Sequence, residues 1–249
     1  MTEAGSGSAP AALSPLDSSR FGVRVARAPQ VTLETLPDVL DFCKQEGVQL
    51  LMARCETKDL SLAQTLERHG FFLTDTLVYF RRDLNRPLLP EPRPVTIRPA
   101  LEADAPAVGE IARQAFRGYD SHYHADPRLD RAACDALYVD WAERSCRQAD
   151  MADCVLLAEV SGQTAGFLTL KRISESEADG RLYAVLPSMQ GQGIGQALLI
   201  AGLHWCKERG LQGMVISTQI TNLASQISWI RVGFVPHSSF YTFHKWFDK

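Results

Sequence analysis

Apolar positions recur along the chain at two periods, and a glycine closes most of the helical runs. In the first third, Phe21 to Ala26 predicts a short strand and Leu36 to Gln45 a helix stopped by Gly47. Val48 to Cys55 predicts a strand, Leu60 to His69 a helix closed by Gly70, and Leu77 to Asp83 a further strand. Further on, Val95 to Arg98 predicts a strand. Ala103 to Phe116 predicts a helix with Ala107, Val108, Ile111, Ala112 and Ala115 along one side. Arg131 to Arg147 predicts a second helix. Cys154 to Val160 and Thr164 to Ile173 predict a hairpin turned by Ser161-Gly162-Gln163. Then come a strand over Arg181 to Leu186, a helix over Gln196 to Arg209, a strand over Met214 to Thr218, a helix over Asn222 to Val232 and a last strand over Ser239 to Trp246.

Between the two groups, Asn85-Arg86-Pro87-Leu88-Leu89-Pro90-Glu91-Pro92-Arg93-Pro94 carries four prolines, a composition that reads as an extended linker. The expected organisation is a disordered leader over 1–19, rich in Ala, Gly, Ser and Pro, then a small α/β domain over 20–85. A linker over 86–94 and a larger α/β domain over 95–249 follow. One echo links the two domains. His69-Gly70-Phe71 and Val232-Gly233-Phe234 both stop a helix and lead into a Tyr-bearing strand, so the first domain reads as a degenerate partial copy of the second.

Net charge is -3, which argues against a nucleic-acid partner. The leader has no apolar stretch fit for a signal peptide and no run approaches membrane-spanning length, so the expected location is cytoplasmic. Cys43, Cys55, Cys134, Cys146, Cys154 and Cys206 form no C-x-x-C pair and none sits beside a His at zinc spacing; they read as buried reduced thiols with no metal.

The chemistry concentrates in Gln190-Gly191-Gln192-Gly193-Ile194-Gly195, which follows a predicted strand and precedes a helix beginning at Gln196. A helix start presents unpaired N–H groups and the positive end of a dipole, and glycines let a phosphate approach them. A pyrophosphate is the natural ligand. A P-loop would need Lys and Ser/Thr after the last glycine, where Gln196 stands. A dinucleotide fingerprint needs G-x-G-x-x-G and an acidic residue after the next strand, where Gln219, Ile220 and Thr221 stand.

Pro187 to Leu198 resembles the acyl-CoA-binding motif of the GNAT superfamily of N-acetyltransferases, written Gln/Arg-x-x-Gly-x-Gly/Ala, with Gln190, Gly193 and Gly195 at its defining positions. Val95 to Trp246 is similar to that superfamily in its order of elements. The longer pattern resembles the bacterial dTDP-fucosamine acetyltransferases, on the Phe21-Gly22 start, Ala115-Phe116-Arg117, the Tyr138 to Trp141 helix, and Ser217-Thr218-Gln219 leading to Asn222. The resemblance implies a mixed, mostly antiparallel sheet flanked by helices. It also implies transfer of acetyl from acetyl-CoA to a primary amine through a tetrahedral intermediate, and room for a homodimer through the last strand. By the same resemblance, N–H groups from Gln192 to Gln196 hold the pyrophosphate. The strand carrying Leu182, Tyr183, Ala184 and Val185 splays from its neighbour to meet the pantetheine, with an N–H from Tyr183 to Val185 serving the oxyanion, and Asn222 contacts the pantetheine arm.

One position departs from the pattern: Trp229 stands where the superfamily places the Tyr that protonates the departing thiolate. An indole N–H donates a hydrogen bond but is no acid near neutral pH. Trp229 as a thiolate donor or a packing aromatic, and Tyr241 as a substitute acid or a strand filler, are the alternatives. For the acceptor, the loop Arg117-Gly118-Tyr119-Asp120-Ser121-His122-Tyr123-His124-Ala125-Asp126 is the candidate. Arg117 suits a phosphate, Tyr119 or Tyr123 a base or sugar, and His122 or His124 a general base. A nucleotide-linked dTDP amino sugar suits the cationic and aromatic groups. Asp120, Asp126 and Asp130 keep a cationic acceptor such as a polyamine or aminoglycoside open, beside a peptide N-terminus. A CoA-binding domain without catalysis is the alternative that Trp229 favours.

Overall fold

The computed structural model describes residues 11–90 and 95–247. The chain forms two compact units: Met1–Leu77 with Asp120–Asp130 and Ser239–Lys249, and Val78–Tyr119 with Arg131–Ser238. This corrects the expected division at the proline-rich linker. The aromatic loop and the end of the last strand belong with the first unit, because a compact unit is defined by what packs together and not by chain order. Residues 91–94 of the expected linker lie outside the described residues.

The first unit contains β1 (Ala12–Leu13), α1 (Pro15–Phe21), β2 (Val25–Ala28), α2 (Leu36–Gln45), β3 (Leu50–Glu56), α3 (Leu60–Arg68) and the start of β4 (Phe72–Asp83). β2 pairs parallel with β3, and β3 pairs antiparallel with the end of β10 (Val235–Trp246), from Phe240↔Glu56 to Trp246↔Leu50. Leu51, Ala53, Cys55 and Phe243 face a core with Leu36, Val39 and Cys43 of α2 and Leu62 and Leu66 of α3. Alternation turns Arg27, Arg54, Thr242 and His244 to the other face of these strands.

Residues 11–19 correct the expected disordered leader; 1–10 lie outside the described residues. Pro15 opens α1 at the helix start, where its missing N–H costs nothing. Asp17 is buried, accepts from Ser14 Oγ at 2.6 Å and pairs with Arg27 Nε at 2.6 Å. The Val25 N–H donates to Ser18 Oγ at 2.9 Å. Small polar residues here tie a helix to β2, which composition alone reads as disorder. Phe21 accordingly ends α1 and does not start a strand.

The second unit contains β5 (Thr96–Pro99), α4 (Ala105–Ala115), α5 (Arg131–Arg147), β6 (Cys154–Val160), β7 (Gln163–Arg172), β8 (Glu177–Val185), α6 (Ile194–Glu208), β9 (Gly213–Gln219), α7 (Leu223–Arg231) and the rest of β4 and β10. Its strands run in the order β4-β9-β8-β7-β6-β5. The β5–β6, β6–β7 and β7–β8 ladders are antiparallel, and β8–β9 is parallel. α6 is apolar almost all round, burying Ile194, Ala197 through Leu203 and Cys206, and it packs with Leu156, Leu168 and Leu170. Each such large aliphatic contributes about 1.5–3 kcal/mol, so the helix that begins at the glycine turn is a rigid mount for it. Arg82 Nη2 donates to the Pro87 carbonyl at 2.6 Å, tying the start of the proline-rich segment to β4. None of the six cysteines forms a disulfide, and four of them are buried. Among the described residues no helix is long and apolar enough to cross a membrane.

Candidate functional site

The site begins with a fault in the sheet. The β7–β8 register shifts between Thr169 and Leu170: Leu170 opposes Gly180 and Thr169 opposes Leu182, so Arg181 is an extra residue on β8. A bulge bends its strand and tightens the local twist. The β8–β9 ladder ends at Gly180↔Ile216, while β8 runs on to Val185 and β9 to Gln219. The two strands therefore part just after the bulge. The Leu182 N–H is not orphaned: it donates to the buried Thr169 Oγ1 at 2.9 Å. With Leu182 aimed at β7, alternation turns the backbone N–H and C=O of Tyr183 and Val185 toward the gap left beside β9.

β8 leads into the glycine turn. Gln190 Nε2 donates to the Val185 carbonyl at 3.2 Å, pinning the turn to the end of the splayed strand. Gly191 and Gly193 have φ of +78° and +79°, a region that side-chain-bearing residues adopt at a cost. Gly193 is the N-cap of α6 and supplies no side-chain cap, and the first intrahelical bond is Ala197 N–H to Gly193 C=O at 3.0 Å. The N–H groups of Ile194, Gly195 and Gln196 thus have no intrahelical partner and stand at the positive end of a 15-residue helix. An uncapped, glycine-lined helix start of this kind fits a pyrophosphate, and the parted backbone of β8 fits an amide-bearing arm, so these residues suit acetyl-CoA.

Asn222 caps α7 at the far end of β9. Its Oδ1 accepts from the Ser225 N–H at 3.3 Å and its Nδ2 donates to Thr218 Oγ1 at 2.9 Å. These bonds hold the side chain at the junction of β9 and α7. The Tyr119 hydroxyl donates to Gln219 Oε1 and lies 3.5 Å from Thr218 Oγ1. Its ring stands edge-on to Phe116 and Tyr138, whose own rings stack at 4.6 Å. Tyr119 is thereby held at the end of β9. Arg117, two residues before it, is exposed.

Trp229 is buried in the core of the second unit, edge-on to Phe80 at 5.6 Å. Its Nε1–H is buried with no hydrogen-bond partner, a cost of about 1–3 kcal/mol. Tyr241 is a correction. It belongs to the first unit, on the strand face with Phe243 that borders the α2–α3 core, so it reads as a strand filler and not a substitute acid.

The rest of the predicted acceptor loop belongs to the first unit, where Ser121, His122, Tyr123 and Asp126 are buried while Asp120 and Ala125 are exposed. Tyr123 lies between Phe21 at 5.6 Å and His122 at 3.9 Å, and its hydroxyl is held by Arg27, so its ring is not available to stack on a base or sugar. His124 Nδ1 meets Ser121 Oγ at 3.0 Å, and Asp120 is exposed. His122 Nδ1 lies 3.0 Å from His244 Nε2, and His244 Nδ1 lies 2.7 Å from Asp126 Oδ2, which also accepts from Trp246 Nε1 at 2.9 Å. Burial, then the charges of His244, Arg54, Arg27 and His124, hold His122 well below the ordinary histidine value. Burial acts to raise the Asp126 carboxyl, but hydrogen bonds from His244, the Arg128 N–H and Trp246 outweigh it and leave it below the ordinary carboxylate value. Sequence reasoning passed over His244 and Trp246. Their signal was the alternation Thr242, His244, Trp246 on the last strand.

The acetyltransferase (GNAT) family model matches residues 108–234, 127 of the 249 positions. The chain belongs to this family. It is a GNAT N-acetyltransferase, and the family uses acetyl-CoA. It is 28% identical over 243 residues to the dTDP-fucosamine acetyltransferase of Escherichia coli O6:H1, covering 94% of this chain and 98% of the relative. It is 32% identical over 91 residues to the aminoglycoside N(6')-acetyltransferase type 1 of Klebsiella aerogenes, covering 34% of this chain and 60% of that one. Among solved structures, the GCN5-related N-acetyltransferase from Sphaerobacter thermophilus superposes with a TM-score of 0.62 at 17% identity, covering 95% of this chain and 76% of that one, which shows the GNAT fold.

Two outcomes follow for the GNAT chain. Thr169→Val keeps the side-chain shape but strands the Leu182 N–H at the bulge; urea unfolding should show a loss of about 1–3 kcal/mol, and an unchanged midpoint would show that the bulge does not need this bond. The second concerns pH. A histidine depressed below 6.5 in the fold stabilises fully above that pH and loses its contribution as pH falls, and Asp126, depressed below 3.8, adds its own loss lower still. Stability should therefore drop on acidification below 6.5 by up to about 1.4 kcal/mol per pH unit for His122. Urea midpoints of His122→Asn should show a flatter dependence; an equal slope would assign the effect elsewhere.

Proposed function

We propose that this GNAT enzyme transfers the acetyl group of acetyl-CoA to the amine of a nucleotide-linked (dTDP) amino sugar. The observation that carries this reading is the end-to-end likeness to the dTDP-fucosamine acetyltransferase, which spans 94% of this chain and 98% of the relative and so includes the first unit as well as the second. The aminoglycoside enzyme matches over only 34% of this chain, and is the second reading.

Bound acetyl-CoA supplies an acetyl group activated as a thioester. The N–H groups of Ile194, Gly195 and Gln196, with Gly191 and Gly193 opening the approach, hold the pyrophosphate. The edge of β8 freed beyond Gly180 takes up the pantetheine amides in place of β9. The Tyr183 N–H, turned into the gap, is the donor for charge that builds on the acetyl oxygen as the amine attacks. Trp229 cannot supply a proton to the departing sulfur; its N–H is closed off from solvent without an acceptor, and it meets the thiolate as CoA displaces the side chains that cover it. The second proton of the attacking amine then goes to the sulfur, giving amide and free thiol.

Purified protein and acetyl-CoA, incubated separately with dTDP-fucosamine, kanamycin, spermidine and a peptide with a free N-terminus, should add one acetyl mass to the dTDP sugar when read by mass spectrometry. Product with kanamycin alone would replace the sugar reading by the second one. Trp229→Phe keeps the ring against Phe80 and removes the N–H. It should lower kcat roughly tenfold, about 1.4 kcal/mol of barrier, while stability stays within about 1 kcal/mol because the lost orphan offsets the smaller ring. An unchanged kcat would leave Trp229 a packing residue only.

A further inference from the structure

The three glycines of the turn are glycines for two different reasons. Gly191 and Gly193 adopt left-handed backbone with nothing within 4 Å of an added Cβ. Gly195 has no such backbone requirement. A methyl there would instead sit on the Tyr183 hydroxyl oxygen and 3.1 Å from the ring carbon that bears it. Tyr183 lies on the splayed end of β8 and packs on the core that holds Ile194 and Trp229, with the Ser228 side chain of α7 near its hydroxyl. Burial pushes this phenol up to about 12, so it stays a neutral hydroxyl at working pH. One side chain thus joins the parted strand, the first turn of α6 and the middle of α7.

We propose that Tyr183 is a positioning residue for the anion-binding turn: its hydroxyl, seated on Gly195, sets the pitch of the first turn of α6 and so the aim of the Ile194, Gly195 and Gln196 N–H groups. The proposal rests on the reading that this turn takes the pyrophosphate of CoA. N–H donors tolerate only about 0.5 Å of misplacement before a binding constellation weakens, and Gly193 provides no side-chain cap that could hold the turn in place of Tyr183. The contact with Gly195 leaves no room for slack between the hydroxyl and the first turn of α6. The same residue offers its backbone N–H to the gap, so the anion site and the acyl site share one rigid part.

The test compares CoA with pantetheine, which lacks the pyrophosphate, by calorimetric titration of the full chain. Tyr183→Phe retains the ring and removes the hydroxyl. It should weaken CoA five- to tenfold and leave pantetheine within twofold, a split that a general loss of fold would not produce. Gly195→Ala should weaken CoA at least tenfold, and Tyr183→Phe added to it should recover part of that loss. Equal weakening of both compounds, no weakening of CoA, or a double variant whose losses simply multiply would each overturn the proposal. Wild-type protein that binds neither compound would overturn the cofactor reading and this proposal with it; wild-type that binds CoA as tightly as Tyr183→Phe would overturn the proposal alone.

Discussion

The site depends on one extra residue. Arg181 is unopposed on β8, and the parallel ladder to β9 ends at the residue before it. A continuous sheet would use every N–H and C=O of β8 and leave none for a ligand. The bulge removes five residues of β8 from that ladder without orphaning them on the other side, since the β7 register resumes at Leu182 and Thr169 supplies the acceptor that the fault would otherwise leave missing. The opening is therefore stable without a ligand because it is one-sided.

The turn inherits its direction from that strand. Gln190 reaches back to the Val185 carbonyl, and Gly195 meets Tyr183, so the start of α6 is referenced twice to the splayed segment. The buried body of α6 then anchors the whole in the core of the second unit. Backbone amides at a helix start are a weak anion site when the helix can rock. They become a defined one when the first turn is tied to the strand that carries the rest of the ligand.

Much of this was legible in the sequence because it is local. The helices over Leu36 to Gln45 and Arg131 to Arg147 have the bounds that their apolar spacing predicts, and the glycine turn announces itself by residue type. What was not legible is tertiary. Asp17 reads as one more polar residue of a Ser- and Pro-rich leader until Arg27 is placed beside it. The loop from Asp120 to Asp130 reads as an acceptor site because it is rich in His, Tyr and Asp, yet His122, Tyr123 and Asp126 are buried and paired in the interior of the first unit, with His244 supplied from more than a hundred residues away. No period in a single sequence marks such a pairing. The role of Thr169 was equally hidden: a β-branched residue in a strand looks like filler, and only the register shows that its hydroxyl completes a bulge.

Trp229 shows how far a resemblance carries. A motif transfers a position, and with it an expectation about the group that stands there, but the chemistry belongs to the side chain. An indole cannot give up its proton at neutral pH. A fully buried indole N–H with no acceptor is also an expense that a phenylalanine would avoid at similar shape. A packing role accounts for the ring against Phe80, while the N–H is closed off from solvent with no acceptor; on the proposed reading the leaving sulfur becomes that acceptor as CoA binding displaces the side chains that cover it. In that arrangement the amine itself is the source of the proton that the thiolate needs, because its second N–H proton must leave in any case for the amide to form. The loss of an acid from the helix then removes a shortcut from the reaction and not a requirement.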